Sequence, residues 1–254
     1  MRRIAVVIPA LNEEARIGAA LASVSAAASA LPHGAAQVSS IVVDGGSSDR
    51  TSALAGNSGA VVIAAPAGRA AQMNAGAATT AAEVLLFLHA DARLSGDCLA
   101  ELLASLGAAR ARAAWGRFDV RLEPSTPLLR VVAAAMNLRS RLTGIATGDQ
   151  AIFMTRAAWD LVGGFPALPL MEDVEISRRL KAAVGRPLCL HAPVEVSARR
   201  WRTNGVWRTI VTMWWYRALY ALGASPEHLH RRYYGEGAGV RRAAAPGGAP
   251  RGEK

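Results

Sequence analysis

Three charged residues in the first part of the sequence each come a few positions after an apolar run: Asp44, Arg69 and Asp91. An aspartate in such a position can accept hydrogen bonds from a nucleoside, and Gly45 beside Asp44 lets a ligand approach the backbone. The fork of an arginine side chain suits a phosphate. A second aspartate supplies the hard oxygen that Mg²⁺ or Mn²⁺ prefers. These residue types predict a site for a nucleoside diphosphate, with Asp91 as a metal ligand.

Four apolar runs rich in β-branched residues are typical of strands that are covered on both faces. They extend over residues 4–8, 40–43, 60–63 and 83–88. Helical segments lie between them, the first over 14–31, and this alternation predicts an open, mainly parallel sheet wound with helices. Ligands of such sheets bind beyond the carboxyl ends of the strands, so the polar residues should meet at one edge.

The pattern changes after Trp115. Residues 116–122 alternate as a half-exposed strand does, and helices are predicted over 128–142 and 206–222. Residues 238–254 are rich in Gly, Pro, Ala and Arg, and we expect them to be disordered.

We therefore predict one α/β domain with a C-terminal extension. The domain covers 1–202, with a first half over 1–95 and a second half over 96–202, and it is followed by a basic, aromatic helical extension over 203–237.

Bulk composition excludes several classes of protein. Hydrophobic residues make up 52% of the chain, but much of this is alanine and no run reaches the roughly 18 apolar residues of a spanning helix. The net charge of +10 favours an anionic partner such as a phosphorylated ligand or a membrane surface. Because no helix-turn-helix, zinc-finger or RNA-binding signature accompanies it, we expect no nucleic-acid partner.

The cysteines and the N-terminus indicate a reducing, cytoplasmic location. Cys98 and Cys189 match no metal-ligand spacing and no disulfide framework. The apolar run after Met1 lacks the small-residue cleavage site of a signal peptide.

Four motifs, in order, resemble those of family 2 glycosyltransferases with the GT-A fold. Residues 9–14 resemble its Pro-x-x-Asn-Glu segment, 44–49 its Asp-Gly-x-Ser-x-Asp segment, and 89–91 its Asp-x-Asp metal motif. The pair Glu172-Asp173 resembles its catalytic Glu-Asp pair. The resemblance extends over about 4–201 and implies a Rossmann-like nucleotide-binding half and a C-terminal acceptor half.

The resemblance also implies roles for single residues. Asp173 takes the proton of the acceptor hydroxyl, Glu172 lies beside it, Asp91 holds Mg²⁺ or Mn²⁺, and the transfer inverts the anomeric centre. The donor, expected to be a UDP-sugar, is bound by Pro9, Leu11, Asn12, Glu14, Asp44, Gly45, Arg69, Asn74, His89, Ala90 and Asp91. Candidate contacts to the acceptor or diphosphate are Gly148, Asp149, Gln150, Arg200 and Trp201; a plain turn and a structural Arg-Trp stack are equally good interpretations.

Two positions depart from the family pattern. His89 replaces the first aspartate of the metal motif. Three interpretations of its side chain are open: it hydrogen-bonds to the ribose, it is a metal ligand, or it only packs against its neighbours. Ser197 stands where processive synthases have the glutamine of Gln-x-x-Arg-Trp, which argues against polymer synthesis. Segment 68–76, with 87–91 and 197–201, resembles a bacterial subgroup associated with radical-SAM and selenium-domain proteins and labelled as arsenosugar biosynthesis transferases. The acceptor stays open between a small molecule and a lipid-linked one.

Alternatives remain for the whole chain and for its extension. A nicotinamide dehydrogenase is excluded because no Gly-x-Gly-x-x-Gly follows the first strand, whereas a catalytically silent nucleotide-sugar-binding module stays open. The aromatic, basic helix over 206–222 either rests on an anionic membrane, or packs against the domain or against a second subunit in a homodimer.

Overall fold

The computed structural model describes residues 1–109 and 111–234, apart from the side chains of Arg200, Asn204, Ala221, Tyr233 and Tyr234. The predicted tail over 238–254 and the last residues of the extension lie outside the described residues.

The strands of the described residues form one sheet. They are β1 (Arg2–Ala10), β2 (Ala36–Asp44), β3 (Val61–Ala64), β4 (Val84–Phe87), β5 (Ala92–Leu94), β6 (Trp115–Glu123), β7 (Phe153–Thr155) and β8 (Leu188–Ser197). Their order across the sheet is β3-β2-β1-β4-β7-β6-β8-β5. The first four strands are parallel to one another, as predicted. β7 is antiparallel to both of its neighbours, and β6 and β8 are parallel.

Helices cover both faces of this sheet. They are α1 (Ile17–Ser29), α2 (Thr51–Asn57), α3 (Arg69–Ala78), α4 (Cys98–Ala109), α5 (Pro127–Thr143), α6 (Arg156–Val162), α7 (Glu172–Ala183), α8 (Arg199–Asn204), α9 (Val206–Ala221) and α10 (Pro226–Tyr234). Apolar side chains of α1, α4 and α5 pack on one face of the sheet, and those of α3, α6 and α7 pack on the other. One sheet with helices on both faces confirms the predicted α/β fold class.

The central strand β1 shows why its sequence is apolar without alternation. Ile4, Val6 and Ile8 belong to one core, whereas Ala5 and Val7 belong to the other. Each of these side chains is at most 1% exposed, because successive residues of a strand point to opposite faces and both faces are covered.

The structure differs from the predicted elements at the first helix and at two strands, β5 and β8. The first helix begins at Ile17 rather than at residue 14, because residues 12–14 hydrogen-bond to the loop that follows β2. Strand β8 was not predicted. Its sequence contains Pro193, and its ladder with β6 shifts register between Phe118 and Asp119.

Helix α9 packs one side on the domain and leaves the other exposed. Tyr220 donates from its hydroxyl to Glu175 of α7 at 3.2 Å, and the Arg178 guanidinium lies 5.1 Å from the centre of its ring. Trp207 and Trp214 are 71% and 63% exposed.

Of the helices that the structure describes, none is long and apolar enough to cross a membrane.

Candidate active site

The carboxyl ends of β1 and β4 open into a cavity of about 380 Å³, here called the Asp91 cavity. The register that pairs Val7 with Phe87 places the segments following the two strands next to each other. The cavity is lined by Pro9, Ala10, Leu11, Glu13, Gly68, Arg69, Gln72, His89, Ala90, Asp91, Pro169 and His230. Six residues predicted to bind the donor are therefore brought together: Pro9, Leu11, Arg69, His89, Ala90 and Asp91.

The amino end of α3 is fixed at this cavity by Gln72. Its side-chain amide donates to the carbonyl oxygens of Ala10 and Val43, both at 2.8 Å. This ties the ends of β1 and β2 to the helix that begins with Arg69. Because the first backbone N–H groups of a helix lack intrahelical partners, the helix end favours an anion at this place.

Asn12 and Glu14, which were predicted to bind the donor, join two loops at the rim. The backbone N–H of Ser48 donates to Asn12 Oδ1 at 2.9 Å, and that of Arg50 donates to Glu14 Oε2 at 3.1 Å. Asn12 has a positive φ of 54°, which asparagine tolerates better than most residues. Neither residue lines the Asp91 cavity.

Asp44 ends β2 beside Ala10, its partner in the ladder. Burial raises the pKa of its carboxyl, but hydrogen bonds from Ser47, Ser52 and Gly46 outweigh this, so that the pKa lies below its usual value. Oδ1 accepts from the hydroxyl and the N–H of Ser47 at 2.6 and 2.9 Å. Asp44 is thus a fixed anion that orders the start of the β2–α2 loop, and Gly45 passes close to Gln72. Both lie next to the Asp91 cavity rather than on its wall.

A second, smaller cavity of about 90 Å³, here called the Asp173 cavity, adjoins the first. Its walls contain Thr147, Gly148, Asp149, Leu170, Met171, Glu172, Asp173, Val174, Met213, Tyr216 and Arg217, together with Arg69 and His89. Arg69 and His89 also line the Asp91 cavity. Asp91 and Asp173, the two aspartates predicted to be functional, therefore line adjoining cavities. The side chains of Arg69 and His89 line both of them.

Asp173 is held by backbone groups in the first turn of α7. Its Oδ2 accepts from the N–H of Gly148 at 2.9 Å, and its Oδ1 accepts from the N–H of Val174 at 2.7 Å. Met171, just before the helix, has a left-handed φ of 67°. Because both oxygens are fixed by main chain, the carboxylate keeps one orientation toward the cavity.

Glu172 is buried beside Asp173, with its side chain 6% exposed. Burial and the charge of Asp173 raise the pKa of Glu172 to about 7, while Arg69 acts in the opposite direction. Arg69 Nη1 lies 3.9 Å from Glu172 Oε1. Glu172 thus carries a proton below about pH 7.

His89 packs directly on the turn that contains Gly148. A β-carbon at residue 148 would lie 2.5 Å from His89 Nε2, so a larger residue there would require the imidazole to move. His89 Nδ1 lies 3.6 Å from Asp149 Oδ1. This places Gly148 and Asp149 at the cavity, as predicted for acceptor contacts.

Three other predicted residues lie elsewhere. Asn74 exchanges two hydrogen bonds with the backbone of Phe165, at 2.8 and 2.9 Å. Gln150 is fully buried and donates to Ser140 at 3.0 Å. Trp201 is buried against α5 and α9, away from both aspartates. The side chain of Arg200 lies outside the described residues.

Sequence reasoning missed several lining residues, namely Gln72, Met213, Tyr216, Arg217 and His230. A signal existed for Gln72 only, because a glutamine on the buried face of a short apolar helix needs polar partners. The others come from α9 and α10, whose position on the domain is set by tertiary packing.

An open α/β sheet with a ligand cavity at its carboxyl edge and a carboxylate pair beside it defines a GT-A type nucleotide-binding enzyme fold. The family model described as glycosyl transferase family 2 matches residues 5–161. The chain therefore belongs to glycosyl transferase family 2.

Solved structures with this fold include two bacterial enzymes. S. aureus TarS, residues 1–349, superposes with a TM-score of 0.61 at 17% identity over 79% of this chain and 61% of that chain. It was also crystallised with UDP-GlcNAc, in a structure with a TM-score of 0.58 at 17% identity that covers 78% of this chain and 58% of that one. Glucosyl-3-phosphoglycerate synthase from Mycobacterium tuberculosis, with Mn²⁺, UDP and glucosyl-3-phosphoglycerate, gives 0.53 at 22% identity over 77% and 71% of the two chains. The chain thus spans about three fifths of the length of TarS residues 1–349. None of the curated proteins compared with it matches.

The buried Glu172 makes stability depend on pH. A carboxyl whose pKa is higher in the folded than in the unfolded chain favours folding while protonated, and this contribution disappears as pH rises through the folded value. Between about pH 5 and about pH 8, Glu172→Gln should therefore become more stable relative to the unmodified chain, by on the order of 3 kcal/mol. Thermal unfolding across this range measures the difference, and a difference independent of pH would contradict the assigned protonation.

Proposed function

We propose that this chain transfers a glycosyl group from a nucleoside-diphosphate sugar, expected to be a UDP-sugar, to an acceptor hydroxyl with inversion. The observation that carries the proposal is the pair of adjoining cavities, with Asp91 in one and Asp173 in the other, and with Arg69 and His89 common to both. The Asp91 cavity would hold the donor and the Asp173 cavity the reacting end of the acceptor. The complexes of TarS with UDP-GlcNAc and of the mycobacterial synthase with UDP support this assignment of the donor.

The residues suit a single displacement. The acceptor hydroxyl gives its proton to Asp173 while its oxygen attacks the anomeric carbon from the side opposite the diphosphate. The bond between that carbon and the leaving phosphate oxygen breaks, and Arg69 with the amino end of α3 stabilises the charge that develops on the diphosphate. One displacement inverts the anomeric centre.

Asp91 fits a metal that binds together with the diphosphate. No group of three or more His, Cys, Asp or Glu side chains suitable for a metal occurs within the described residues. Mg²⁺ in nucleotide enzymes commonly uses only one or two carboxylates, with phosphates and water as the remaining ligands. Asp91 supplies one such carboxylate and His89, on the same wall, is a candidate second ligand. When bound, Mg²⁺ or Mn²⁺ would neutralise charge on the diphosphate.

The subgroup assignment is also a proposal. The likeness of segments 68–76, 87–91 and 197–201 to radical-SAM-associated transferases supports a bacterial enzyme that acts on a non-polymeric acceptor. Ser197, in place of glutamine, is the last residue of the alternating strand β8, and its backbone N–H donates to the Asp91 carbonyl at 3.4 Å.

Asp173→Asn tests the catalytic base. We expect UDP-glucose or UDP-N-acetylglucosamine to be hydrolysed and transferred about 10²- to 10⁴-fold more slowly, because the amide cannot accept the proton. Donor binding, measured as the rise in melting temperature, should be retained. Asp160→Asn, an exposed position on α6 outside both cavities, is the matched control. Full activity of Asp173→Asn would refute the base, and donor binding without any turnover in the unmodified chain would indicate a silent module.

Asp91→Asn tests the metal. In the unmodified chain, a UDP-sugar at about a hundred times its Kd should add about 3 kcal/mol of stability, or roughly 5–10 °C in Tm, and only when Mn²⁺ or Mg²⁺ is present. Asp91→Asn should lose this metal-dependent part, whereas Asp160→Asn should keep it. An equal rise with the chelator EDTA present would exclude the metal role.

We propose further that α9 rests on an anionic membrane at the cytoplasmic face, through its exposed Trp207, Trp214 and Trp215. Replacing the three tryptophans by serine should lower binding to anionic vesicles by about tenfold or more in a sedimentation assay. Leu161→Ser, which removes an exposed leucine of α6, is the control. A doubled mass in light scattering that the triple variant abolishes would instead assign this surface to a homodimer.

A further inference from the structure

An apolar cavity of about 190 Å³ lies between α5, α8 and α9. Its lining consists of Leu128, Val131, Val132, Ala135, Met136, Trp201, Trp207, Ile210, Met213 and Trp214, with Arg139 and Arg217. For comparison, an apolar cavity of about 150 Å³ stays free of water and binds a small hydrocarbon. This space, here called the apolar cavity, therefore suits a hydrocarbon group.

The apolar cavity adjoins the Asp173 cavity. Met213 and Arg217 line both spaces, so one turn of α9 forms the boundary between them. The outer rim is formed by Val131, Trp207 and Trp214, which are 66%, 71% and 63% exposed. A chain entering at this rim would therefore end next to the proposed catalytic base.

Arg139, which lines the apolar cavity, is a candidate binding residue for an anion. Its Nε and Nη2 atoms are buried, and among the described residues they contact no hydrogen-bond acceptor. Burial and the nearby charge of Arg217 lower the pKa of Arg139 to about 10, and Asp173 acts in the opposite direction. Buried guanidinium nitrogens without acceptors are costly unless a ligand supplies the acceptors, and a phosphate matches the fork of the guanidinium.

The helices around the apolar cavity contain basic side chains and no acidic ones. Helix α5 contains three arginines, and residues 199–221 contain five, without a single acidic residue in either segment. Residues 235–254 have Val240 as their only large apolar side chain, so the chain's own C-terminal sequence is a poor occupant. An amphiphile with an anionic group matches both the apolar walls and the charge.

We propose that the acceptor is a lipid-linked molecule whose hydrocarbon chain occupies the apolar cavity and whose phosphate pairs with Arg139 and Arg217. The head group then extends into the Asp173 cavity. This inference rests on the proposed function only in calling the ligand an acceptor.

Calorimetry with octyl phosphate on the full chain tests the site without any donor. Octyl phosphate should bind more tightly than inorganic phosphate or octanol, because the first of these lacks the alkyl chain and the second lacks the phosphate. Shorter and longer alkyl phosphates should differ in Kd by about fourfold per methylene until the cavity is filled. Equal affinity for octyl phosphate and inorganic phosphate would overturn the inference.

Variants locate the two parts of the ligand. Arg139→Gln and Arg217→Gln should each weaken octyl phosphate about tenfold or more, whereas Arg208→Gln, on the exposed side of α9, should not. Arg217→Gln is informative even if the buried Arg139→Gln fails to fold. Ala135→Phe, at an exposed lining position, should weaken octyl phosphate but not inorganic phosphate. Equal losses in Arg208→Gln and Arg217→Gln would overturn the site, as would a dimer that Ala135→Phe dissociates while octyl phosphate has no effect.

The two proposals fail in different ways. Octyl phosphate binding without sugar transfer would contradict the proposed function and leave the lipid site standing. Donor turnover that depends on Asp173, without octyl phosphate binding, would contradict the lipid acceptor alone.

Discussion

The parallel pairing of β1 with β2 on one side and β4 on the other determines where everything else at the site lies. Because the three strands run in the same direction, Ala10, Asp44 and the segment after Phe87 all come to one edge of the sheet. The Gln72 amide then binds carbonyls of two of these strands and fixes the first turn of α3 against them. This edge of the sheet is thus held by main-chain register and by one buried side chain.

Much of this first half could be predicted from the sequence. The four apolar runs coincide or overlap with β1 to β4 and are separated by helical segments, so both the element types and their parallel order follow from local pattern. The polar residues at the strand ends follow from the general position of sites in such sheets. Six of the predicted donor residues do line one cavity, although their roles stay predictions, as does a division of the single sheet at residue 95.

The second half shows where local pattern stops being sufficient. Strand β8 pairs in parallel with β6 across about seventy residues of sequence, and its alternation of apolar and polar residues does not indicate which strand it pairs with. Asn74 was predicted to bind the donor but binds Phe165, at a sequence separation of 91. Gln150 has the residue type of a ligand contact, yet its amide completes a buried network with Ser140 and Asn137. In each case the deciding contact is tertiary, and no periodicity in the sequence records it.

Arg69 also connects the donor side of the site to a proton. It lies 3.9 Å from Glu172 and lowers the affinity of that carboxyl for a proton. If the diphosphate of the proposed donor engages Arg69, this effect weakens, so that the bound donor would favour the protonated form of Glu172, and the protonated form would in turn favour the donor. By thermodynamic reciprocity, the proposed nucleotide-sugar donor and the proton would then be cooperative ligands of one site. Nucleotide release after transfer would then return a proton to the solvent.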